Sequence, residues 1–340
     1  MIFVTPTLCV RTQQTAREAS ETYTHRRATM IGIDDKAGER LAKPDHILVA
    51  TDLNDLDVLL PAAICQAKLY NAQLTFVHSL VIGGNSFMEG GAGREDRAAH
   101  QQMVALSSKV EAEGLRCNTE IAYTYSPEHA LSQAARQIQR GRLIMATHGR
   151  GRLGQIMLGS VARELLTFLD IPIFAVGPNA GPQASYCNPK KILHPISFSN
   201  GQEKRSLEFA LKLAEVHGAE LVLMHVHGPG KAGKIDSERI RQLMEEARAG
   251  SSTPTHTRVA YGNVAEEILN TARLYGADWL VLGTKPIAAA PMSYAPFTAT
   301  SMAYRLMAAA HIPVLTFPHR IYSITPNLTR DNLEAASMGV

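Results

Sequence analysis

From residue 46 to residue 176, short apolar runs alternate with longer stretches in which apolar positions recur every three or four residues. The short runs predict buried strands, and the longer stretches predict amphipathic helices laid on the sheet those strands form. Strands are predicted over 46–51, 73–79, 117–122, 142–147 and 171–176, with helices over 54–70, 95–113, 127–140 and 159–169. Ser126-Pro127 marks one helix start: serine is a preferred N-cap, and proline loses nothing at the first helical position, where its missing N–H has no partner. The same order of elements returns further on, with strands predicted over 191–196, 219–225, 255–260, 278–283 and 312–317 and with Gly262-Asn263 where Ser126-Pro127 stood.

The recurrence is a duplication. His46-Ile-Leu-Val-Ala-Thr-Asp52 answers to Lys191-Ile-Leu-His-Pro-Ile-Ser197, Leu74-Thr-Phe-Val-His78 to Leu221-Val-Leu-Met-His225, and Ile171-Pro-Ile-Phe-Ala-Val176 to Ile312-Pro-Val-Leu-Thr-Phe317, at offsets of 145, 147 and 141 residues. A near-constant offset predicts two copies of one domain. The predicted fold class is α/β: two tandem doubly wound, Rossmann-like domains, each built on a five-stranded parallel sheet. Their expected bounds are 43–178 and 190–320, joined by a linker over 179–189 and followed by a tail over 321–340. Residues 11–42 are polar and lack a sustained period, so 1–42 is expected to be a disordered arm. Met30 is a second candidate start.

Composition narrows the partners. The chain has 340 residues, 45% of them apolar, and its 34 basic and 31 acidic side chains leave a net charge of only +3. So even a mixture creates no positive field for tracking nucleic acid. No apolar run reaches the roughly 18 residues that cross a bilayer, so no membrane partner is expected. The opening segment has no basic region before its apolar stretch, and no signal peptide is predicted. Cys9, Cys65, Cys117 and Cys187 lie far apart, which points to no disulfide framework or zinc ribbon and favours a reducing, cytoplasmic compartment.

Doubly wound sheets bind ligands beyond the carboxyl ends of the strands, where the winding reverses. The loops after strands one and four are therefore the first places to look. Asp52 follows strand one. His148-Gly-Arg-Gly-Arg-Leu-Gly154 follows strand four and leads to Gly159-Ser160 at a helix start. Glycines let backbone approach a ligand, and a helix's first N–H groups attract anions, so the expected ligand carries phosphate. Asp52 is also placed to cap the next helix, and Arg150 and Arg152 serve equally as phosphate partners or as solvated loop cations. Gly149-Arg-Gly151-Arg-Leu-Gly154 has dinucleotide spacing but follows strand four instead of strand one. Gly228-Pro-Gly-Lys-Ala-Gly-Lys234 has P-loop spacing but continues with Ile235 where a Mg²⁺-binding hydroxyl belongs. His225 and His227 face the same way but have no evident third metal ligand.

With these residues in view, the chain resembles the universal stress proteins in their tandem form. Their nucleotide signature is G-x-x-G, nine residues, then G-[S/T]. Here Ala146-Thr-His-Gly149, nine residues and Gly159-Ser160 match it in all but the first glycine. The resemblance spans about residues 45 to 318. It implies that Asp52 and the end of strand two at His78-Ser79 hold the adenine side of ATP, ADP or AMP, and that Ala146 lies along the ribose. Gly149, Gly159, Ser160 and Val161 would hold the phosphates, with His148 and Arg150 close by and Mg²⁺ as a companion ion. It also implies that 171–176 and 312–317 meet within one chain as an intramolecular pseudo-dimer, which leaves homodimerisation and an unidentified protein partner open.

The second half departs from the signature. Gly283-Thr-Lys-Pro286 puts proline at the second glycine, the spacing to Thr300-Ser301 is thirteen residues, and Ser197 replaces the acid after strand one. Proline has no N–H to offer a phosphate. One nucleotide site per chain is expected, in the first half. Three roles follow: a nucleotide-responsive regulatory or interaction module in stress response, a slow ATPase using Asp52 with His148 or Arg150, or a scaffold without nucleotide if Ala146 has closed the site. No catalytic residue and no metal ligand is assigned.

Overall fold

A computed structural model of the protein describes residues 41–81, 92–138, 141–147, 161–162, 165–166, 169, 171–177, 179–180, 186–197, 203–228, 237–283 and 302–318. In the first half β1 (His46–Thr51), α1 (Leu56–Tyr70), β2 (Gln73–Val81), α2 (Ala92–Ala112), β3 (Cys117–Thr124), α3 (Pro127–Arg136), β4 (Gly141–Ala146) and β5 (Ile173–Val176) follow one another. The second half runs β6 (Lys191–Pro195), α4 (Glu203–His217), β7 (Glu220–His227), α5 (Ser237–Arg248), β8 (Thr255–Tyr261), α6 (Val264–Tyr275), β9 (Trp279–Gly283), α7 (Met302–Ala309) and β10 (Val314–Phe317). The strands match the predicted runs to within about two residues at each end. Of the helix predicted over 159–169, residues 161–162 and 165–166 are helical, and Ala162 and Leu165 are buried.

The ten strands among the described residues form one sheet in the order β3-β2-β1-β4-β5-β10-β9-β6-β7-β8. Each half supplies five parallel strands, and the halves join where β5 and β10 pair antiparallel, Ala175 opposite Val314 and Ile173 opposite Thr316. The predicted meeting of these segments is thus a continuous sheet. Each of the two strands is buried at all four positions. Joining them removes two apolar edges that would otherwise template aggregation. Thr316 is buried within the pair, where its Oγ1 accepts from the backbone N–H of Ile173 at 3.3 Å.

Side chains alternate between two apolar layers. Ile47, Val49, Leu74, Phe76, Phe174 and Trp279 pack on one face under α1 and α4, with Phe209 of α4 in the same layer, while Leu48, Val77, Leu143, Ile173, Leu280 and Val314 pack on the other. Burying a large apolar side chain contributes about 1.5–3 kcal/mol. Caps end the helices as their sequences require. Ser126 accepts from the N–H of His129, Asn263 accepts from those of Ala265 and Glu266, and Asn71 and Gly276 close α1 and α6 in the left-handed region.

Around the junction the structure adds what spacing does not show. Tyr70 and His217, the last residues of α1 and α4, are 2.8 Å apart from Oη to Nε2. Arg142 pairs in register with Ile47, and Trp279 takes the same place opposite Ile192; both side chains are fully buried. Arg142 lies over the Tyr70 ring at 5.0 Å and donates to Gln66, to Tyr70 and to the carbonyls of Leu41 and Ala42. Leu41 and Ala42, the last two residues of the predicted arm, are therefore buried; residues 1–40 lie outside the described residues. The expectation of unpaired cysteines needs correction: Cys65 and Cys187, 122 residues apart, come together in a disulfide with Cα atoms 5.3 Å apart. Folding brings distant thiols together regardless of their spacing along the chain.

Candidate functional site

In the first half the path β1, β2, β3 runs outward to one side, and β4 returns to the other side of β1. This reversal puts the loop after β1 at the switch point of the winding. Thr51 ends β1 with its hydroxyl donating to Asp55 Oδ1 at 2.6 Å and accepting from the N–H of Leu53 at 2.9 Å. Leu53 takes a left-handed φ of 66°, which turns the chain sharply before α1. Asp52 stays exposed, and its Oδ1 accepts from the N–H of Asn54 at 2.8 Å. The N-cap position of α1 belongs to Asp55 and not to Asp52, and the Asp55 side chain makes no capping bond. Burial raises the Asp55 carboxyl to about 6, with the nearby charge of Asp52 adding and the Thr51 bond opposing.

A cleft of about 270 Å³ opens over this loop, walled by Asp52 and Asn54, by His78 and Leu80 of β2, and by Glu95 and Gln102 of α2. The His78 ring is fixed by its Nδ1, 3.0 Å from the carbonyl oxygen of Thr51. A carbonyl only accepts, so Nδ1 carries a proton and Nε2 is the ring nitrogen turned away from that bond. With Asp52 and Glu95 the walls are rich in acceptors. They suit amino and hydroxyl donors such as those of a nucleoside, and they repel phosphate.

The structure brings Asp52 and His78 to one cleft. Ser79 alternates to the sheet's other face, and its Oγ is buried with no hydrogen-bond partner. Ala146 ends β4 beside Val176, partly buried against the face that carries the cleft, and Val161 packs against the opposite layer. His148, Gly149, Arg150, Arg152, Gly159 and Ser160 lie outside the described residues. Asn54, Leu80, Glu95 and Gln102 complete the cleft and belong to no motif of the sequence. Glu95 and Gln102 stand seven apart on α2, two helical turns along one face, a spacing that puts them together on the helix but does not say which strand ends they cover.

In the second half His225 repeats the anchor of His78, with Nδ1 2.9 Å from the carbonyl of Ile196. Beyond it His227 is buried, edge-on to His225 and stacked on Tyr261 with centroids 4.9 Å apart and planes 17° apart. Among the described residues no group of three or more histidine, cysteine or acidic side chains is placed to hold a metal. None of the described helices is long and apolar enough to cross a membrane. The Gly228–Lys234 segment is described only at Gly228, and Gly283-Thr-Lys-Pro286 only at Gly283.

Comparison with known proteins agrees with this architecture. The universal stress protein family matches residues 44–177 and again residues 188–318. A universal stress protein from Archaeoglobus fulgidus DSM 4304 superposes with a TM-score of 0.66 at 18% identity, over 82% of this chain and 100% of that one. A protein of unknown function from Pseudomonas aeruginosa PAO1 superposes with a TM-score of 0.54 at 19% identity, over 82% of this chain and 94% of that one. Curated protein sequences give no match.

Proposed function

The chain belongs to the universal stress protein family, with two family domains in tandem, and we propose that its first half binds one adenine nucleotide, ATP, ADP or AMP, as the input of a regulatory module in stress response. The observation that carries this reading is the cleft over Asp52 and His78 at the reversal of strand order. Its volume lies just under the roughly 300–1,000 Å³ of small-molecule sites, enough for a nucleoside. Asp52 accepts from ribose or adenine donors, and His78 presents a ring nitrogen from a fixed position. The acidic walls leave the phosphates, and a companion Mg²⁺, to the glycine-rich sequence over 148–160 that follows Ala146. The second half serves as the structural partner, and the nucleotide acts by favouring one conformation of the pair over another. A cytoplasmic location goes with that role.

Calorimetric titration of ATP with Mg²⁺ tests the reading. We expect about one nucleotide per chain. Binding should weaken roughly tenfold in Asp52→Ala, about 1.4 kcal/mol, vanish in a Gly159→Val, Ser160→Ala double variant, and stay unchanged in Ser197→Ala. Binding that survives the double variant, or falls with Ser197→Ala, would put the ligand in the other half. No uptake at millimolar ATP would leave the scaffold role in its place.

A further inference from the structure

Just before its first strand, each half has a short buried segment. In the first half it is Leu41–Ala42, held from below by Arg142, whose Nη2 donates to both carbonyls at 3.4 and 3.3 Å. In the second half it is Tyr186–Cys187, four to five residues before β6, with Tyr186 only 5% exposed and packed into the layer under α1 and α4. Trp279 stands at the register position of Arg142, so the second half has an indole where the first has the guanidinium that holds its segment. Its tie to the body is made by Cys187 to Cys65 of α1 in the other half.

We propose that Cys65 and Cys187 form a reversible redox clasp that locks the lead-in of the second half onto α1 of the first. The Cα separation of 5.3 Å lies within the roughly 4.4–6.8 Å that a disulfide spans without backbone movement. Both residues are half-buried and not sealed in the core, so small thiols and disulfides reach them. The same helix carries Tyr70, whose hydroxyl meets His217 of the second half. Closing the clasp therefore adds a covalent tie beside an existing hydrogen bond and beside the β5–β10 pair. The oxidant is a low-molecular-weight disulfide. One cysteine thiolate attacks it and expels a small thiolate, and the second cysteine thiolate then attacks the mixed disulfide and expels the other. Two protein thiols become one disulfide, and one small disulfide becomes two small thiols. Excess small thiol runs the same steps backward.

The test uses the full chain equilibrated with reduced or with oxidised glutathione. In the oxidised sample we expect a Cys65–Cys187 linked peptide by mass spectrometry and two fewer alkylatable thiols per chain. The thermal midpoint should rise by about 5–10 °C over the reduced sample, as a bond closing so long a loop implies. Returning the sample to reduced glutathione should reverse all three. Cys117→Ser should respond as the wild type does, whereas Cys65→Ser and Cys187→Ser should keep the midpoint of the reduced protein under both conditions. The wild-type comparison stands without the variants, should one fail to fold. Three outcomes would overturn the proposal: both cysteines still alkylated after oxidation, a linkage to Cys9 or Cys117 in place of this one, or a formed bond that leaves the midpoint unchanged.

Discussion

Past the end of β1 the first half has Asp52, and its β2 histidine borders an open cleft. Past the end of β6 the second half has Ser197, and its β7 histidine lies edge-on to His227, which is stacked on Tyr261. Because the halves are copies of one domain, each serves as a control for the other. The histidine anchor occurs in both, His78 to the carbonyl of Thr51 and His225 to that of Ile196, so it belongs to the framework. The tyrosines opposite Leu80 and His227, Tyr123 and Tyr261, also recur, the first bonded to Asp96 of α2 and the second to Ser237 of α5. What differs is Asp52 against Ser197 and Leu80 against His227. Those differences are where the ligand-binding role proposed for the first half separates from the structural one proposed for the second.

The halves also differ in how they meet acid, and this carries the largest expected effect. His194 is fully buried in β6, and His217 is buried against Trp279; burial pushes both down to about 4, with the charge of Arg142 adding at His217. A histidine lowered by folding contributes stability that is intact above its ordinary value near 6.5 and is lost as the pH falls toward 4. Their first-half counterparts are Val49 and Tyr70, neither of them a histidine. Asp55 in the first half has the opposite sign. Its carboxyl is raised to about 6, so its contribution is present below about 3.8 and is lost as the pH rises through 6. From pH 7 to pH 5 the two histidines should cost about 4 kcal/mol together, against about 1 kcal/mol gained at Asp55. Urea unfolding followed by the fluorescence of Trp279, the chain's one tryptophan, reads this from within the second half. His217→Gln should remove about half of the loss, and unfolding midpoints that coincide at the two pH values would refute the assignment.

A second comparison concerns the junction, where the copies touch through equivalent residues. Tyr70→Phe removes the bond to His217 and the 3.3 Å bond from Arg142, leaving two buried groups short of a partner. We expect a loss of about 1–3 kcal/mol. If the two residues act as a pair, the same change in a His217→Gln background should cost a different amount, with a coupling of about 0.5 kcal/mol or more. Additive losses in that cycle would show that Tyr70 acts through Arg142 alone.

Much of this was legible from periodicity. The inner strands are short apolar runs with their own bounding turns, the edge strands β3 and β8 are mixed, and duplication lets one half check the other. The ends drift where pairing outlasts the apolar pattern. β2 and β3 continue to Val81 and Thr124 because they keep bonding to each other past the end of β1. Asp52 could be found because the position after the first strand of a doubly wound sheet is fixed by topology. The wall made by Glu95 and Gln102 could not, because how α2 lies over the strand ends is decided by packing. His78 and Ser79 share one strand end in the sequence, yet a single residue along a strand changes the face. Contacts across the junction, such as Tyr70 with His217 and Cys65 with Cys187, depend on how two copies meet, and no spacing within either copy encodes that.

The smallest expected difference lies at the two capped helices. Ser126 caps α3 through one bond, to the N–H of His129 at 3.2 Å, and Pro127 leaves the first helical position with no N–H to satisfy. Asn263 caps α6 with two, from Ala265 at 3.1 Å and Glu266 at 3.5 Å, and Val264 at the first position keeps its N–H. Replacing either cap by alanine should cost about 1 kcal/mol. The second half should lose the larger share by a few tenths, since its helix has one more donor to satisfy and a cap that serves two of them. Amide exchange in the first turn of each helix measures the effect where it arises, free of the rest of the sheet. Equal acceleration in Ser126→Ala and Asn263→Ala would mean that proline at the first position confers no advantage and that the two starts, unlike the two strand ends, have stayed equivalent.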